Sequence, residues 1–278
     1  MDSAAEGSVG STPDKCTDWV LLPWSWRSVL VPGAAALLSL ALIPYGVAIF
    51  RVLQPALENA PLQHLFALAL QYANPFAPVV VLLTVWMLDR RRRHFLPYLV
   101  VGALAAGGLN SVIKETAGRR RPEWSINLDA HREKVMLERA QRHPDKYIPI
   151  EHRDLWLGLH RNRLWFADWD ASFPSGHACA AFALAAFLCA MYPEARWIWL
   201  GLAVLAALAR VKSSHHYLED ILMGGAIGWT VSLWAFSWRW PGRVGRFLTG
   251  SRSPAESHVD TRQADNVITE TMVSFRNP

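Results

Sequence analysis

Pro174-Ser175-Gly176-His177 runs without a break into an apolar stretch that continues to residue 192. Pro in or just before a first helical turn, with Ser as the cap, reads as a helix start. The stretch behind it is apolar enough to enter a bilayer. The unpaired N–H groups at such a start, with the positive end of the helix dipole, make an anion site. Ser175 offers a hydroxyl and a backbone N–H, Gly176 lets a ligand approach the main chain closely, and His177 stands beside whatever binds there.

Five further apolar runs surround this one: 28–50, 65–88 (interrupted at Asn74-Pro75), 96–113, 195–211 and 218–238. A hydrocarbon core of about 30 Å needs about 20 such residues. The first run is too long for the apolar region of a signal peptide and reads as a retained span. The 278 residues are 52% hydrophobic and 18% charged, against about 25% charged for a soluble domain. The 14 Trp residues fit aromatic anchoring at both interfaces. The expected fold is therefore all-α, an integral membrane six-transmembrane-helix bundle.

Arg90, Arg91, Arg92 and Arg93 join the second and third runs and place that loop in the cytoplasm. Counting outward, both termini are cytoplasmic. Residues 1–24 form a flexible cytoplasmic tail, 25–240 the six-span domain, and 241–278 a basic, disordered cytoplasmic tail. Residues 119–173 form a small extracytoplasmic cap inserted between spans three and four. Within it 133–142 has helical composition, and Trp156, Leu157, Leu159, Leu164, Trp165, Phe166 and Trp169 form an aromatic cluster. The formal charge of +5 sits beside the spans rather than on one soluble face, so nucleic acid is excluded as a partner. Cys179 and Cys189 share one apolar run and Cys16 stands apart, so no disulfide framework is expected.

Two more polar stretches fall on the same face as Pro174-Ser175-Gly176-His177. In Lys114-Glu115-Thr116-Ala117-Gly118-Arg119-Arg120-Arg121-Pro122, Lys114 and Arg121 are two helical turns apart, and Gly118 and Pro122 mark where the helix frays or ends. Lys supplies a compact charge and Arg a planar fork, which together suit a phosphate. Arg119 and Arg120 are expected to be solvated. The third stretch runs from Arg210 to Asp220. His216 and Asp220 are four apart, on one helical face. Asp220 is expected to accept a hydrogen bond from one ring nitrogen and leave the other as a nucleophile. His215, five before Asp220, points elsewhere. The remaining histidines lack metal-ligand spacing, so no metal or other cofactor is expected.

These three stretches, in this order, resemble the signature of the type 2 phosphatidic acid phosphatase family, which shares its core with vanadium haloperoxidases. The family pattern is Lys-x6-Arg-Pro, then Pro-Ser-Gly-His, then Ser-Arg-x5-His-x3-Asp. The chain departs from it once: Ala209 stands at the Ser position. The resemblance implies that His216 attacks phosphorus to form a phosphohistidine. It implies that Lys114, Arg121, Arg210 and the backbone of Ser175 and Gly176 hold the phosphate oxygens, and that His177 handles the leaving-group proton.

The implied protein is a metal-independent phosphatase whose partners are membrane lipids and a lipid phosphate. Phosphatidate, phosphatidylglycerol phosphate, a polyprenyl diphosphate and a lipid A phosphate present the same terminal group. A lipid alcohol in place of water would make it a phosphotransferase. A non-catalytic binder or transporter would need only the cations, and the His216–Asp220 pair argues against it.

Overall fold

The computed structural model describes residues 26–59, 61–74, 76–124, 126, 134, 138, 141, 156 and 171–250. Most of the expected cap lies outside the described residues, as do both distal tails and Cys16. Among the described residues the regular structure is helical, apart from two isolated antiparallel bridges, Arg119 with Trp156 and Arg120 with Ala171.

Helix α1 (Trp26–Leu42) passes through a 3₁₀ turn, Ile43–Tyr45, into α2 (Gly46–Glu58). The first apolar run thus belongs to a longer rod than expected, Val29–Glu58. Gln54, bonded to Glu58 at 2.9 Å and to the Lys212 carbonyl at 3.3 Å, ties its polar end to the bundle. The second run is two helices, α3 (Gln63–Tyr72) and α4 (Ala77–Leu88), flanking the Asn74-Pro75 interruption. Helix α5 (Leu96–Ala117) follows a 3₁₀ turn at Arg93–Phe95. Beyond residue 171 come α6 (Gly176–Met191), α7 (Arg196–Lys212), α8 (Leu218–Ala235) and α9 (Arg239–Thr249). Val29–Glu58 and Arg93–Ala117 are long and apolar enough to cross a membrane, and the pairs α3–α4 and α8–α9 raise the number to four if each bent pair is one span.

Helix α8 is the centre of the bundle and packs on α6, α5 and α1. Gly224 and Gly228 let its backbone lie directly on α6. A Cβ on Gly224 would fall 2.3 Å from the Ser175 carbonyl oxygen, and one on Gly228 would fall 2.0 Å from that of Cys179. Small residues four apart permit this close crossing where lipid supplies no hydrophobic drive between helices. Ser232 of α8 donates to the Ala183 carbonyl of α6 at 3.0 Å. At the far end Tyr98, Phe236 and Phe187 stack in series. The outward faces are apolar: Leu37 and Leu104 are each 71% exposed and Met87 72%. Such faces suit lipid rather than water as solvent.

One expectation needs correcting. The basic tail begins as an ordered helix. In α9, Pro241, Gly242 and Gly245 are buried, Gly242 against Tyr98 and Gly245 against the His94 carbonyl. The glycines remove the side chains that would hold the helix off α5.

Candidate active site

Helix α5 carries Lys114 in its last turn and ends where the sequence provides a residue able to adopt positive φ. Gly118 (φ 57°, ψ 37°) caps it and donates to the Lys114 carbonyl at 3.0 Å. The chain then runs extended. Its bridge to Ala171, and Ser172 N–H donating to the Arg119 carbonyl at 2.7 Å, bring the first polar stretch beside the second. Ser175 N–H donates to the Asp220 carbonyl at 3.0 Å, joining the second to the third. Glu123 N–H donates to the Ser214 carbonyl at 2.9 Å, joining the first to the third. Main-chain bonds thus link all three stretches pairwise.

Ser175 is the N-cap of α6. Its hydroxyl accepts from Ala178 N–H at 3.4 Å, and the residue is fully buried. Its own N–H, expected to face an anion, is taken by the Asp220 carbonyl. The anion-facing amides of this helix start are therefore those of Gly176 and His177, which have no intrahelical acceptor. A Cβ on Gly176 would lie 3.7 Å from Asn110 Nδ2 and 4.0 Å from Lys114 Nζ. The bare face of Gly176 thus looks toward both side chains.

His216 is 1% exposed. Its Nδ1 lies 2.8 Å from the Ser172 carbonyl oxygen. A carbonyl only accepts, so Nδ1 carries the proton and Nε2 the lone pair. Burial pushes the imidazole pKa down to about 3, and Lys114 and Arg121 push the same way against Asp220. The ring is a neutral base at any ordinary pH. The expected bond to Asp220 is replaced: Asp220 Oδ2 is 3.7 Å from Nδ1, an electrostatic neighbour rather than a hydrogen-bond partner. Its Oδ2 accepts from Tyr217 N–H at 2.8 Å and its Oδ1 from Arg119 at 2.7 Å.

Arg119 overturns another expectation. It is 1% exposed, pairs with Glu219 at 2.7 Å as well as with Asp220, and lies over the rings of Tyr217 (3.9 Å) and Trp156 (5.0 Å). The two carboxylates hold its guanidinium pKa above the ordinary value despite burial. Glu219 is anchored in turn by Ser39, whose hydroxyl donates to its carbonyl at 2.8 Å, and by Gly46, which leaves room for its carboxylate.

Arg210, at the end of α7, is 9% exposed with its Nε buried and unpartnered. Its carbonyl accepts from the N–H groups of His215 (3.1 Å) and His216 (3.3 Å), so the same residue sets the path of the loop that carries His216. Ser214 makes that path by adopting φ 59°, a left-handed conformation that costs on the order of 1 kcal/mol for a residue other than Gly. Arg121 reaches the Ala171 carbonyl at 3.3 Å and Glu123 at 3.4 Å. His177 lies within electrostatic reach of Arg210, Lys114, Arg121 and His215. His215 points away from Asp220, as its spacing implies: its Nε2 is 3.7 Å from Glu123 and its Nδ1 is 2.7 Å from the Ser213 carbonyl. The site therefore brings together every residue that the three stretches nominate. It adds Asn110, Arg119, Glu123, Ser172 and Glu219.

Lys114 and Arg121 act on the neutral His216 imidazole, and with Arg210 they act on His177 at the helix start; such a set can hold a tetrahedral oxyanion and attack its centre. Three kinds of similarity to known proteins accompany this geometry. A 75-residue stretch is 31% identical to the bacitracin transport permease protein BcrC of Bacillus licheniformis, covering 27% of this chain and 37% of that protein. The match thus spans little more than a third of that relative. Two solved structures are similar. Aquifex aeolicus LpxE aligns with a TM-score of 0.47 at 17% identity, over 70% of this chain and 96% of that one. A transmembrane PAP2 type phosphatidylglycerolphosphate phosphatase from Bacillus subtilis aligns at 0.49 and 19%, over 76% and 94%. Residues 95–243, more than half of the chain and all three polar stretches, match the model of the PAP2 superfamily. On that match, the chain belongs to the PAP2 superfamily.

Proposed function

We propose that this protein is an integral membrane phosphatase that removes the terminal phosphate of a lipid phosphate or diphosphate through a phosphohistidine on His216. The observation that carries the reading is the Ser172 carbonyl 2.8 Å from His216 Nδ1, which leaves the lone pair on Nε2 of a ring within electrostatic reach of Lys114 and Arg121, while Arg210 acts on the neighbouring His177. Nε2 gives its lone pair to phosphorus, the P–O bond to the lipid breaks, and the departing oxygen takes a proton from His177. Water then attacks phosphorus, giving a proton back to His177, and the P–N electron pair returns to Nε2. Lys114, Arg121, Arg210 and the amides of Gly176 and His177 hold the equatorial oxygens as charge spreads over them. Asp220 faces the ring when it becomes cationic in the intermediate. No residue in this scheme calls for a metal.

The layout we favour has six spans, both termini in the cytoplasm, and the site under an extracytoplasmic cap formed by 119–173. It is supported by the geometry of α5, whose 22 residues rise roughly 33 Å from just after the Arg90–Arg93 loop to Ala117, with Lys114 in the last turn. That distance matches the hydrocarbon thickness of about 30 Å.

The test is a panel of lipid phosphates and diphosphates given to purified protein in the presence of EDTA. Wild type releases phosphate, His216→Ala does not, and orthovanadate inhibits as a phosphate mimic. Activity that requires a divalent cation, or that survives in His216→Ala, would refute the mechanism.

A further inference from the structure

We propose that Asn110 is a further substrate-binding residue of this site, its carboxamide donating a hydrogen bond to an oxygen of the bound phosphate. The inference rests on the phosphatase reading above and adds a neutral donor to its three cations. Asn110 lies one helical turn before Lys114, on the same face of α5. It is 4% exposed, follows a run of apolar and Gly residues from 99 to 109, and lies at a depth where a buried polar side chain is costly unless it has work to do. Two observations say what that work is. Its Nδ2 lies 3.7 Å from the point where a Cβ of Gly176 would be, so the amide faces the helix start that presents N–H groups to an anion. Its Oδ1 is buried with no hydrogen-bond partner.

A residue kept only to join helices would have both ends of its carboxamide satisfied by a neighbouring helix, because an orphaned buried acceptor costs about 1–3 kcal/mol. The O and N ends are interchangeable by a flip, and either setting places one donor and one acceptor beside Gly176. In the loaded site the N–H₂ end meets a phosphate oxygen and the carbonyl end is left beside the Lys114 ammonium, one turn on. A neutral donor has a distinct use here. It binds phosphate without adding a fourth positive charge to a pocket where Lys114 and Arg121 already press on His216.

The experiment compares wild type, Asn110→Leu, Asn110→Asp and His216→Ala, reading orthovanadate inhibition and kcat/KM on one lipid phosphate from pH 5 to 8. Asn110→Leu, which keeps the volume and removes donor and acceptor together, is expected to weaken orthovanadate inhibition and kcat/KM by about 10- to 100-fold. A purely structural Asn would leave both unchanged within about twofold while thermal stability holds or rises, and that result overturns the proposal. Asn110→Asp decides if the Leu variant does not fold. A carboxylate facing phosphate is expected to weaken inhibition strongly at pH 8, with recovery as the new carboxyl is protonated toward pH 5; no pH-dependent difference from wild type overturns the proposal. The outcomes are separable. A wild type that neither turns over nor responds to orthovanadate removes the phosphatase reading itself, whereas an active wild type with an indifferent Asn110→Leu removes only the role of Asn110.

Discussion

Arg119 Nη1 lies 2.7 Å from Asp220 Oδ1 at a place where neither side chain is more than 1% exposed. The pair ties the loop after α5 to the first turn of α8. Through Asp220 it also reaches the surroundings of His216, since Asp220 Oδ2 is 3.7 Å from the imidazole Nδ1. With Glu219 as its second partner, Arg119 sits between two carboxylates.

Arg119→Met is expected to be severely destabilising, because it strands two carboxylates in the interior. Breaking a buried pair from one side costs about 3–5 kcal/mol. Thermal unfolding of the detergent-purified variant should show a loss far larger than that of Arg120→Met, whose side chain is only half-buried. Equal effects would mean that the Arg119 cluster contributes nothing special.

His216 sets a pH dependence of stability with a defined sign. Its folded pKa, about 3, lies below its ordinary value of 6.5. Between those limits the unfolded chain takes up a proton that the folded chain refuses. Stability is therefore full above about pH 6.5 and is lost as pH falls through the window toward 3. A melting series should be flatter below pH 6.5 in His216→Asn than in wild type. The acid limb of kcat/KM should not titrate at the ordinary histidine value on account of this residue.

Gly224 and Gly33 make a matched pair of probes. A methyl on Gly224 meets the Ser175 carbonyl at 2.3 Å, whereas a methyl on Gly33 meets nothing within 4 Å. Gly224→Ala must push α8 off α6, and overpacking of this kind costs about 1–3 kcal/mol. The same movement separates Ser175 N–H from the Asp220 carbonyl, so turnover should fall by more than tenfold. Gly33→Ala should change neither turnover nor melting temperature.

Arg210 carries a buried Nε with no partner and sits within electrostatic reach of Arg121. Such an arrangement favours anion binding over stability. Arg210→Met is expected to melt at or above the wild-type temperature while phosphate release falls by about two orders of magnitude or more. A variant that loses stability and keeps its activity would show the opposite assignment, a structural cation.

The sequence by itself nominated the kinds of residue for the candidate site and marked the ends of the helices beside it. Gly118 can adopt the left-handed conformation that stops α5, Ser175 caps α6, and apolar composition confines the charged stretches to the ends of the helices. These are local properties, written in a few neighbouring side chains. Lys114, Arg121, Gly176, His177, Arg210, His216 and Asp220 could be nominated for that reason.

The tertiary structure alone decided which partners those groups have. Arg119 and Arg120 read as solvated, yet the extended path between Gly118 and Pro122 turns Arg119 inward onto Glu219 and Asp220. The acceptor that orients His216 is a main-chain carbonyl, at Ser172, and every residue type has one, so no sequence pattern marks it. Asn110 and Gly46 matter because distant helices pass beside them. Periodicity along one helix says which residues share a face; what that face meets is fixed by how closely backbones can approach, and here Gly224 and Gly228 set that approach.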